Sequence, residues 1–289
     1  MSLALLGAYG WQGLVLTIWI ALSVGSFLNV VIYRLPVMLQ REWETQARAI
    51  LELDAVETGE KFNLSVPRSR CPHCGHQIRF WENIPVISWL ALRGRCSSCA
   101  APISWRYPAI ELLTCLLTLA VLAMFGMTTY GFAVVLATWL LIAATFIDFD
   151  TQLLPDQLTY PLLWLGLLTN TFLVTPVSLV DAIVGAVAGY LFLWSIYWVF
   201  KLLTGKEGMG YGDFKMLAAI GAWAGWQTLP AVILIAAMAG LIVALAKMAL
   251  SKKAREEAGS PMAFGPYLAI AGWVALLFRD TVLAIFLLY

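Results

Sequence analysis

The sequence predicts an all-α polytopic membrane protein of about eight transmembrane helices, with a small cytoplasmic domain inserted between the first and second. Three observations predict it. Of the 289 residues, 61% are apolar and 12% charged, against about 45–50% apolar in soluble domains. Apolar runs near the ~20 residues that a bilayer crossing needs recur along the chain. The charges are gathered in one place, with ten of the eighteen Lys and Arg lying between Arg34 and Arg106. This composition excludes a disordered chain and a secreted, disulfide-rich one.

The runs cover residues 11–33, 106–125, 130–147, 158–176, 181–200, 214–229, 230–248 and 264–288. The sixth is the weakest, being short and holding Lys215, which must reach toward an interface. With Arg34 to Arg106 in the cytoplasm and sides alternating, Lys201, Lys206, Lys215, Lys247, Lys252, Lys253 and Arg255 also fall inside. Seventeen of eighteen cations then face the cytoplasm, Arg279 being the exception. That positive-inside pattern places both termini outside. The first run has no basic stretch before it and no small-residue cleavage site after it, so it reads as a retained anchor. The expected parts are a transmembrane anchor (residues 1–33), a cytoplasmic domain (34–105) and a transmembrane bundle (106–289).

Within the insert, residues 37–56 have helical periodicity, with Leu39, Trp43, Ala47, Ile50 and Leu51 on one side. This predicts a soluble helix packed on the rest of the insert. Two Cys-x-x-Cys knuckles follow, Cys71/Cys74 and Cys96/Cys99, with 21 residues between them. That is close to the spacing of four-thiolate zinc sites, in which tetrahedral coordination brings two tight turns face to face. A reducing compartment disfavours a disulfide, so the insert reads as a zinc-binding domain with a closed, structural site; redox use or no metal are the alternatives. His73 and His76 could stand in for one thiolate. Cys115, alone in the second span, reads as core. The stretch from Val86 to Leu92 is too short to cross, and is either the small core of the insert or a face laid against the membrane.

Candidate chemistry lies among carboxylates. An acid within a span costs about 2.5–3.5 kcal/mol on the lenient insertion scale, which makes it a functional candidate. The third run ends in Ile147-Asp148-Phe149-Asp150 and leads to Pro155-Asp156; Gly208-Met-Gly210-Tyr-Gly212-Asp213 opens the sixth. Both acidic segments fall on the cytoplasmic side. Glu111 is a weaker candidate, with a helix–helix hydrogen bond as the competing role. Two carboxylates meeting from different helices can work as an aspartic dyad, one ionised and activating water, the other protonated and polarising the scissile carbonyl. At ~4 Å and an effective dielectric of ~20 their repulsion is about 4 kcal/mol, enough to keep one neutral. Glycines 208, 210 and 212 would let a substrate backbone approach and would permit positive φ. Helix capping is the competing role for Asp213 and the favoured one for Asp156 and Asp181. Asp148 and Asp150 lie on different helical faces, and their residue types do not choose between them.

Four ordered motifs carry a resemblance: Gly25-Ser-Phe-Leu-Asn29-Val-Val-Ile-Tyr-Arg34-Leu-Pro36, the paired knuckles, Ile147-Asp148 through Leu154-Pro155-Asp156, and Gly210-Tyr-Gly212-Asp213. Over essentially its whole length the chain resembles type IV prepilin peptidases. The resemblance implies Asp148 and Asp213 as the catalytic pair, with Asp150 the alternative to Asp148. It implies a multi-pass enzyme of the bacterial inner membrane that removes the short basic leader of type IV prepilins or type II secretion pseudopilins on the cytoplasmic side, after a glycine. It further implies N-methylation of the new terminal residue, usually Phe, with S-adenosylmethionine as donor and Gly94 and Arg95 as positions tied to transfer. The long insert supports the second activity, since peptidase-only relatives lack it. An α-amine is substantially deprotonated near neutrality, so positioning could suffice for that step. Expected partners are the prepilin substrates and the lipid bilayer, with no nucleic acid.

Other readings are a peptidase without methylation, an ion or metal transporter, a zinc intramembrane protease and a scaffold. A transporter usually shows midplane acids and an internal repeat, and neither is found. A zinc protease would need a motif such as His-Glu-x-x-His, whereas both histidines of this chain sit in a knuckle.

Overall fold

The computed structural model describes residues 2–54, 61–250 and 263–286, with side chains from residue 10 onward. Lys252, Lys253 and Arg255, and the end of the expected eighth span, lie outside these residues. The described part is helical apart from turns and two isolated bridges. It divides into two compact units, Met1–Gly126 and Met127–Tyr289.

The first unit holds α1 (Ser2–Ile50), α2 (Ile87–Ala91) and α3 (Arg106–Phe125). The left-handed φ of 65° at Gly10 interrupts α1 near its start. A separate soluble helix over residues 37–56 is not what forms: α1 runs unbroken through Pro36 to Ile50. Beyond the proline, good helix formers and i,i+4 pairs such as Glu44–Arg48 sustain it. Nor does the predicted apolar face pack against the insert. Leu39 is buried, but Trp43, Ile50 and Leu51 are 47%, 80% and 67% exposed. Helices α1 and α3 meet at a small residue, since a Cβ on Gly25 would fall 2.7 Å from Glu111 Cα. Nearby, Asn29 Nδ2 donates to Gly25 O and to Tyr107 O, each at 3.2 Å, the helix–helix use of small and polar residues expected in lipid.

The second unit holds α4 (Thr129–Thr151), α5 (Asp156–Phe172), α6 (Leu179–Thr204), α7 (Tyr211–Ala224), α8 (Leu229–Leu250), α9 (Gly265–Leu277) and α10 (Arg279–Phe286). Helix α7 is its axis. From Asp213 to Ala224 every residue but Lys215 is buried, against α5, α6, α8 and α9. Two hydrogen bonds tie it to α5: Trp223 Nε1 donates to Leu162 O at 2.8 Å and Asn170 Nδ2 to Ala222 O at 2.8 Å.

Each of the eight predicted segments holds a helix among the described residues, but the helix lengths revise the count. Among the described residues, five helices are long and apolar enough to cross a membrane, or up to six if the bent pair α9 and α10 counts as one span. Helix α5 has 17 residues and α7 has 14, and 14 residues reach only about 21 Å at ~1.5 Å each. Encased by its neighbours, α7 need not match the bilayer thickness. The last predicted span is not straight, because α9 and α10 diverge by 102°. At the bend, Arg279 Nε donates to Ala224 O at 3.1 Å, satisfying a carbonyl that the end of α7 leaves free.

Candidate active site

In the second unit, Asp148 and Asp213 are 4% and 8% exposed and close enough to interact electrostatically. They approach from opposite directions in the chain. Asp148 lies in the last turn of α4, and Asp213 is the third residue of α7. Helix α4 ends because Gln152 takes a left-handed conformation (φ 54°, ψ 35°) and its N–H closes on Asp148 O at 2.9 Å. The chain then turns through Leu154 to Pro155, which caps α5. The Gly210 N–H faces the Asp213 carboxyl, and the Gly265 N–H, at the start of α9, faces that of Asp148. Asp148 Oδ2 is buried with no hydrogen-bond partner among the described residues, so one of its lone-pair sites is free to take a proton.

The other candidates sort by position. Asp150 is exposed, two residues round the helix from the buried Asp148. Asp156 makes no side-chain cap bond; it pairs instead with Lys215 Nζ, which also lies 5.1 Å from the Tyr160 ring centroid. Lys215 therefore has an ion-pair partner beside the acids. Asp181 serves the start of α6, where the Ser178 hydroxyl donates to its Oδ2 at 2.7 Å; its Oδ1 accepts from Trp226 Nε1 and Gln227 Nε2 at 2.8 and 3.0 Å.

The glycines before Asp213 differ from expectation. None of Gly208, Gly210 and Gly212 has positive φ. A Cβ on Gly208 would fall 2.9 Å from the Phe200 ring and one on Gly212 2.6 Å from Leu154 Cβ, so both admit neighbouring side chains. Of the three only Gly210 has room for a Cβ, whose nearest neighbours, Asp213 Oδ2 and Gly212 N, would lie 4.0 Å away. The loop is held by Lys201, whose Nζ donates to Glu207 Oε1 at 2.8 Å and to Tyr197 OH at 3.2 Å.

In the first unit, the sulfurs of Cys71, Cys74, Cys96 and Cys99 lie within 4.8 Å of one another. The Cys71 and Cys99 sulfurs are 3.8 Å apart, the edge of a tetrahedron with metal–sulfur bonds of about 2.3 Å. The knuckles are built alike. Cys71 N–H donates to His76 O at 2.8 Å and Cys96 N–H to Ala101 O at 2.9 Å, and bridges Arg70–Gln77 and Arg95–Pro102 close the two turns. Left-handed residues, Gly75 (φ 72°) and Ala100 (φ 55°), follow the second cysteine of each. The Cys74 and His73 N–H groups hold the Cys71 thiol down to about 7. At Cys99 the Ala101 N–H acts in the same direction but is outweighed by the Cys74 thiol, burial and the other two cysteines, which push it up to about 12. Four sulfurs this close can all reach one cation and would give up their protons to it, so the set fits a metal ion. His76 is engaged elsewhere, its Nε2 3.2 Å from Glu82 Oε2 and 3.4 Å from Ser97 Oγ. With the Arg79 N–H first, then Ser97 and His76, this network holds the Glu82 carboxyl down to about 2.

Gly94 has φ 67°, and a Cβ there would fall 2.9 Å from the Trp89 ring; it is a turn and packing glycine. Arg95 is exposed. Buried Glu111 accepts from Val86 N–H at 2.7 Å, which holds the left-handed Val86 (φ 60°) that opens α2. The first motif also has a use that its sequence did not disclose. Arg34 is buried, donating to Asn63 O at 2.8 Å and Pro67 O at 2.6 Å, and so fastens the start of the insert to α1.

Residues 19–125 match the model of the bacterial peptidase A24 N-terminal domain, and residues 134–245 that of the type IV leader peptidase family. A relative from Stutzerimonas stutzeri, named prepilin leader peptidase/N-methyltransferase, is 58% identical over 93% of this chain and 91% of its own. Relatives with the same name from Aeromonas hydrophila (55% identical; 98% of this chain, 97% of the relative) and Pseudomonas aeruginosa (54%; 92% and 90%) agree. The chain belongs to the type IV leader peptidase family. No solved structure matches it. The two family models meet the chain on either side of its division into units, the first covering the knuckles and the second both buried aspartates. Within this leader peptidase fold, sequence reasoning missed Leu154 and Gly265, which touch the acidic site. A Cβ on Gly265 would fall 2.7 Å from Asp148 Oδ2 and 2.8 Å from Leu154 Cδ1. The signal available was the run Phe264-Gly265-Pro266, a glycine with a proline after it at a helix start.

Proposed function

We propose that this chain is a prepilin leader peptidase working through Asp148 and Asp213, and that it N-methylates the product. One observation carries the hydrolytic part: two buried carboxyls from different helices meet in a leader peptidase fold. Each carboxyl has a helix start and an N–H beside it, Gly265 of α9 at Asp148 and Gly210 before α7 at Asp213, where negative charge is favoured. Asp148 is assigned as the ionised base because its buried Oδ2 has no hydrogen-bond partner among the described residues and is open to a proton. Asp213 holds the proton. Asp148 takes a proton from water as the water oxygen bonds to the glycine carbonyl carbon. Asp213 hydrogen-bonds the carbonyl oxygen as charge develops on it. Collapse of the tetrahedral intermediate breaks the carbon–nitrogen bond, and the leaving amine accepts a proton from the dyad. The open side of Gly210 is the approach for the substrate backbone.

The substrates are prepilins or pseudopilins with a basic leader, and the protein is placed in the bacterial inner membrane. The insert faces the cytoplasm and the termini the periplasm, because that arrangement puts seventeen of eighteen cations inside. Zinc is the metal, held by Cys71, Cys74, Cys96 and Cys99. With four sulfur ligands it would have no open position and would tie the two turns together rather than act on substrate. Methyl transfer rests on the family. S-adenosylmethionine would supply the methyl group, its methyl carbon–sulfur bond breaking to release the neutral thioether as the freed α-amine takes the methyl and gives up a proton. Trp89 already fills the space beside Gly94, so Gly94 holds the turn and the exposed Arg95 is left to meet the donor.

Purified full-length protein with a peptide of basic leader, Gly, Phe and apolar tail tests this. Cleavage after Gly is expected, lost in Asp148→Asn and in Asp213→Asn. With the methyl donor added, mass spectrometry should find a product 14 Da heavier, the mass of an added CH2. Parental cutting by either asparagine variant would refute the dyad.

A further inference from the structure

Leu154 stands between the two helix starts that bear on the acids. It is 8% exposed, in the turn between α4 and α5. On one side lies Gly212, next to Asp213, where an added Cβ would fall 2.6 Å from Leu154 Cβ and 3.3 Å from Leu154 O. On the other lies Gly265, where an added Cβ would fall 2.8 and 3.2 Å from Leu154 Cδ1 and Cδ2, and 2.7 Å from Asp148 Oδ2. Two backbones lacking side chains thus close on one leucine, and each belongs to a segment that touches a different carboxyl.

We infer that Leu154 is the spacer that fixes the approach of Asp148 and Asp213, acting through Gly212 and Gly265. This rests on the two-aspartate reading above and adds a positioning residue to it. Leu154 makes no hydrogen bond and carries no charge; its contribution is volume. Interiors are packed so closely that a lost or added methyl group shifts the backbone around it. A misplacement of about 1 Å at reacting groups can cost roughly 100-fold in rate.

Steady-state cleavage of the peptide by full-length protein tests this, with thermal unfolding followed in parallel. Leu154→Ala should lower kcat by roughly 10- to 100-fold with KM within about twofold, since the substrate's approach at Gly210 is untouched. Gly265→Ala should lower kcat at least as far. The deciding measurement is the double variant. Removing the leucine's terminal carbons clears two of the three atoms that a Cβ at 265 meets and leaves the 2.7 Å approach to Asp148 Oδ2, so in Leu154→Ala/Gly265→Ala the two losses should combine to less than their product, without full rescue of Gly265→Ala. The control is Leu154→Ala/Gly272→Ala. Gly272 lies on α9 against Ile220, with an added Cβ 2.6 Å from Ile220 Cδ1, so there the two losses should multiply. Losses that multiply in both doubles, or a Leu154→Ala variant with parental kcat, would overturn the spacer. If Leu154→Ala does not fold, Leu154→Val enters the same cycle with the same outcomes deciding. Asp148→Asn and Asp213→Asn run beside it separate the failures. If either cut at the parental rate, the dyad reading would fall and the spacer with it. Inactive asparagine variants alongside multiplicative losses would remove the spacer alone.

Discussion

The seam between α6 and α7 offers a prediction whose size can be worked from distances. Gly185 and Gly189 lie one turn apart on α6, facing Gly221 and Leu217 one turn apart on α7. An added Cβ at Gly185 would fall 2.3 Å from Gly221 O, and one at Gly189 2.7 Å from Leu217 O. Ordinary contact begins at 3.4 Å. Gly185→Ala therefore has to part the helices by about 1 Å and Gly189→Ala by about 0.7 Å, both against backbone that cannot rotate away. Overpacking of this kind costs about 1–3 kcal/mol. Alanine also gains up to about 1 kcal/mol over glycine in helix propensity, so the measured loss understates the clash. The two sites should differ in what they damage. Gly185 meets the far half of α7 and should show the larger drop in thermal stability. Gly189 meets Leu217, one turn from Asp213, and should show the larger drop in kcat, toward the ~100-fold scale of a misplaced catalytic group. Unfolding of the detergent-solubilised protein and peptide cleavage read the two effects separately. Alanine variants that melt and cut like the parent would mean that α7 is not held by this seam, and the account of how Asp213 is positioned would be wrong.

Three further outcomes are expected. Asp181→Ala should keep most of the cleavage activity while losing about 0.5–1.5 kcal/mol of stability, because it removes the acceptor of Trp226 and Gln227 at a site that water reaches; loss of cleavage without loss of stability would give Asp181 a chemical part it lacks here. Cys71→Ser should reduce the bound zinc, measured by elemental analysis of the purified protein, from one ion per chain toward none, whereas His76→Ala should leave it unchanged, and zinc retained by the serine variant would rule out the four-sulfur set. Glu111→Ala should destabilise the first unit by about 1–3 kcal/mol, since the Val86 N–H loses its acceptor, while Glu111→Gln, which keeps a carbonyl oxygen in place, should recover much of it; equal losses in the two variants, read by protease susceptibility of the insert, would show that this hydrogen bond is not the one that counts.

Hydropathy and cysteine spacing made the architecture legible because each reports a strong, local requirement. Lipid demands a run of apolar residues, and a tetrahedral metal demands two tight turns. Both signals survive without knowledge of what lies beside them. Where the sequence misled, a neighbour decided the outcome. Helix α7 is too short to cross a bilayer by itself, yet it is the best buried helix of its unit, because α5, α6, α8 and α9 replace lipid around it. The bend between α9 and α10 falls at Phe278-Arg279, where Arg279 finds Ala224 O, and no periodicity in the last apolar run announces that partner. Arg34 read as a membrane-exit cation; its acceptors are carbonyls near thirty residues along the chain.

The cost of burying charge made the acids visible in the sequence, and their supports carry no such cost. A carboxyl in an apolar run is conspicuous because its burial is costly, and Asp148 and Asp213 stand out for that reason. Gly212 and Gly265 carry no such mark. Glycine is the residue of flexible turns, and the turn reading was the natural one for the loop before Asp213. Yet positive φ is found at Gly94 and not at Gly208, Gly210 or Gly212, so the first is glycine partly for its backbone angle and Gly208 and Gly212 are glycine for what lies against them. Nothing in a linear pattern says whether a missing side chain serves an angle, a neighbour or a substrate, since the three needs differ only in what occupies the space beside the Cα. Here that space holds Phe200 at Gly208 and Leu154 at Gly212, whereas at Gly210 an added Cβ would lie 4.0 Å from Asp213 Oδ2 and from Gly212 N, so of the three glycines Gly210 is the one proposed to admit a peptide to the acids.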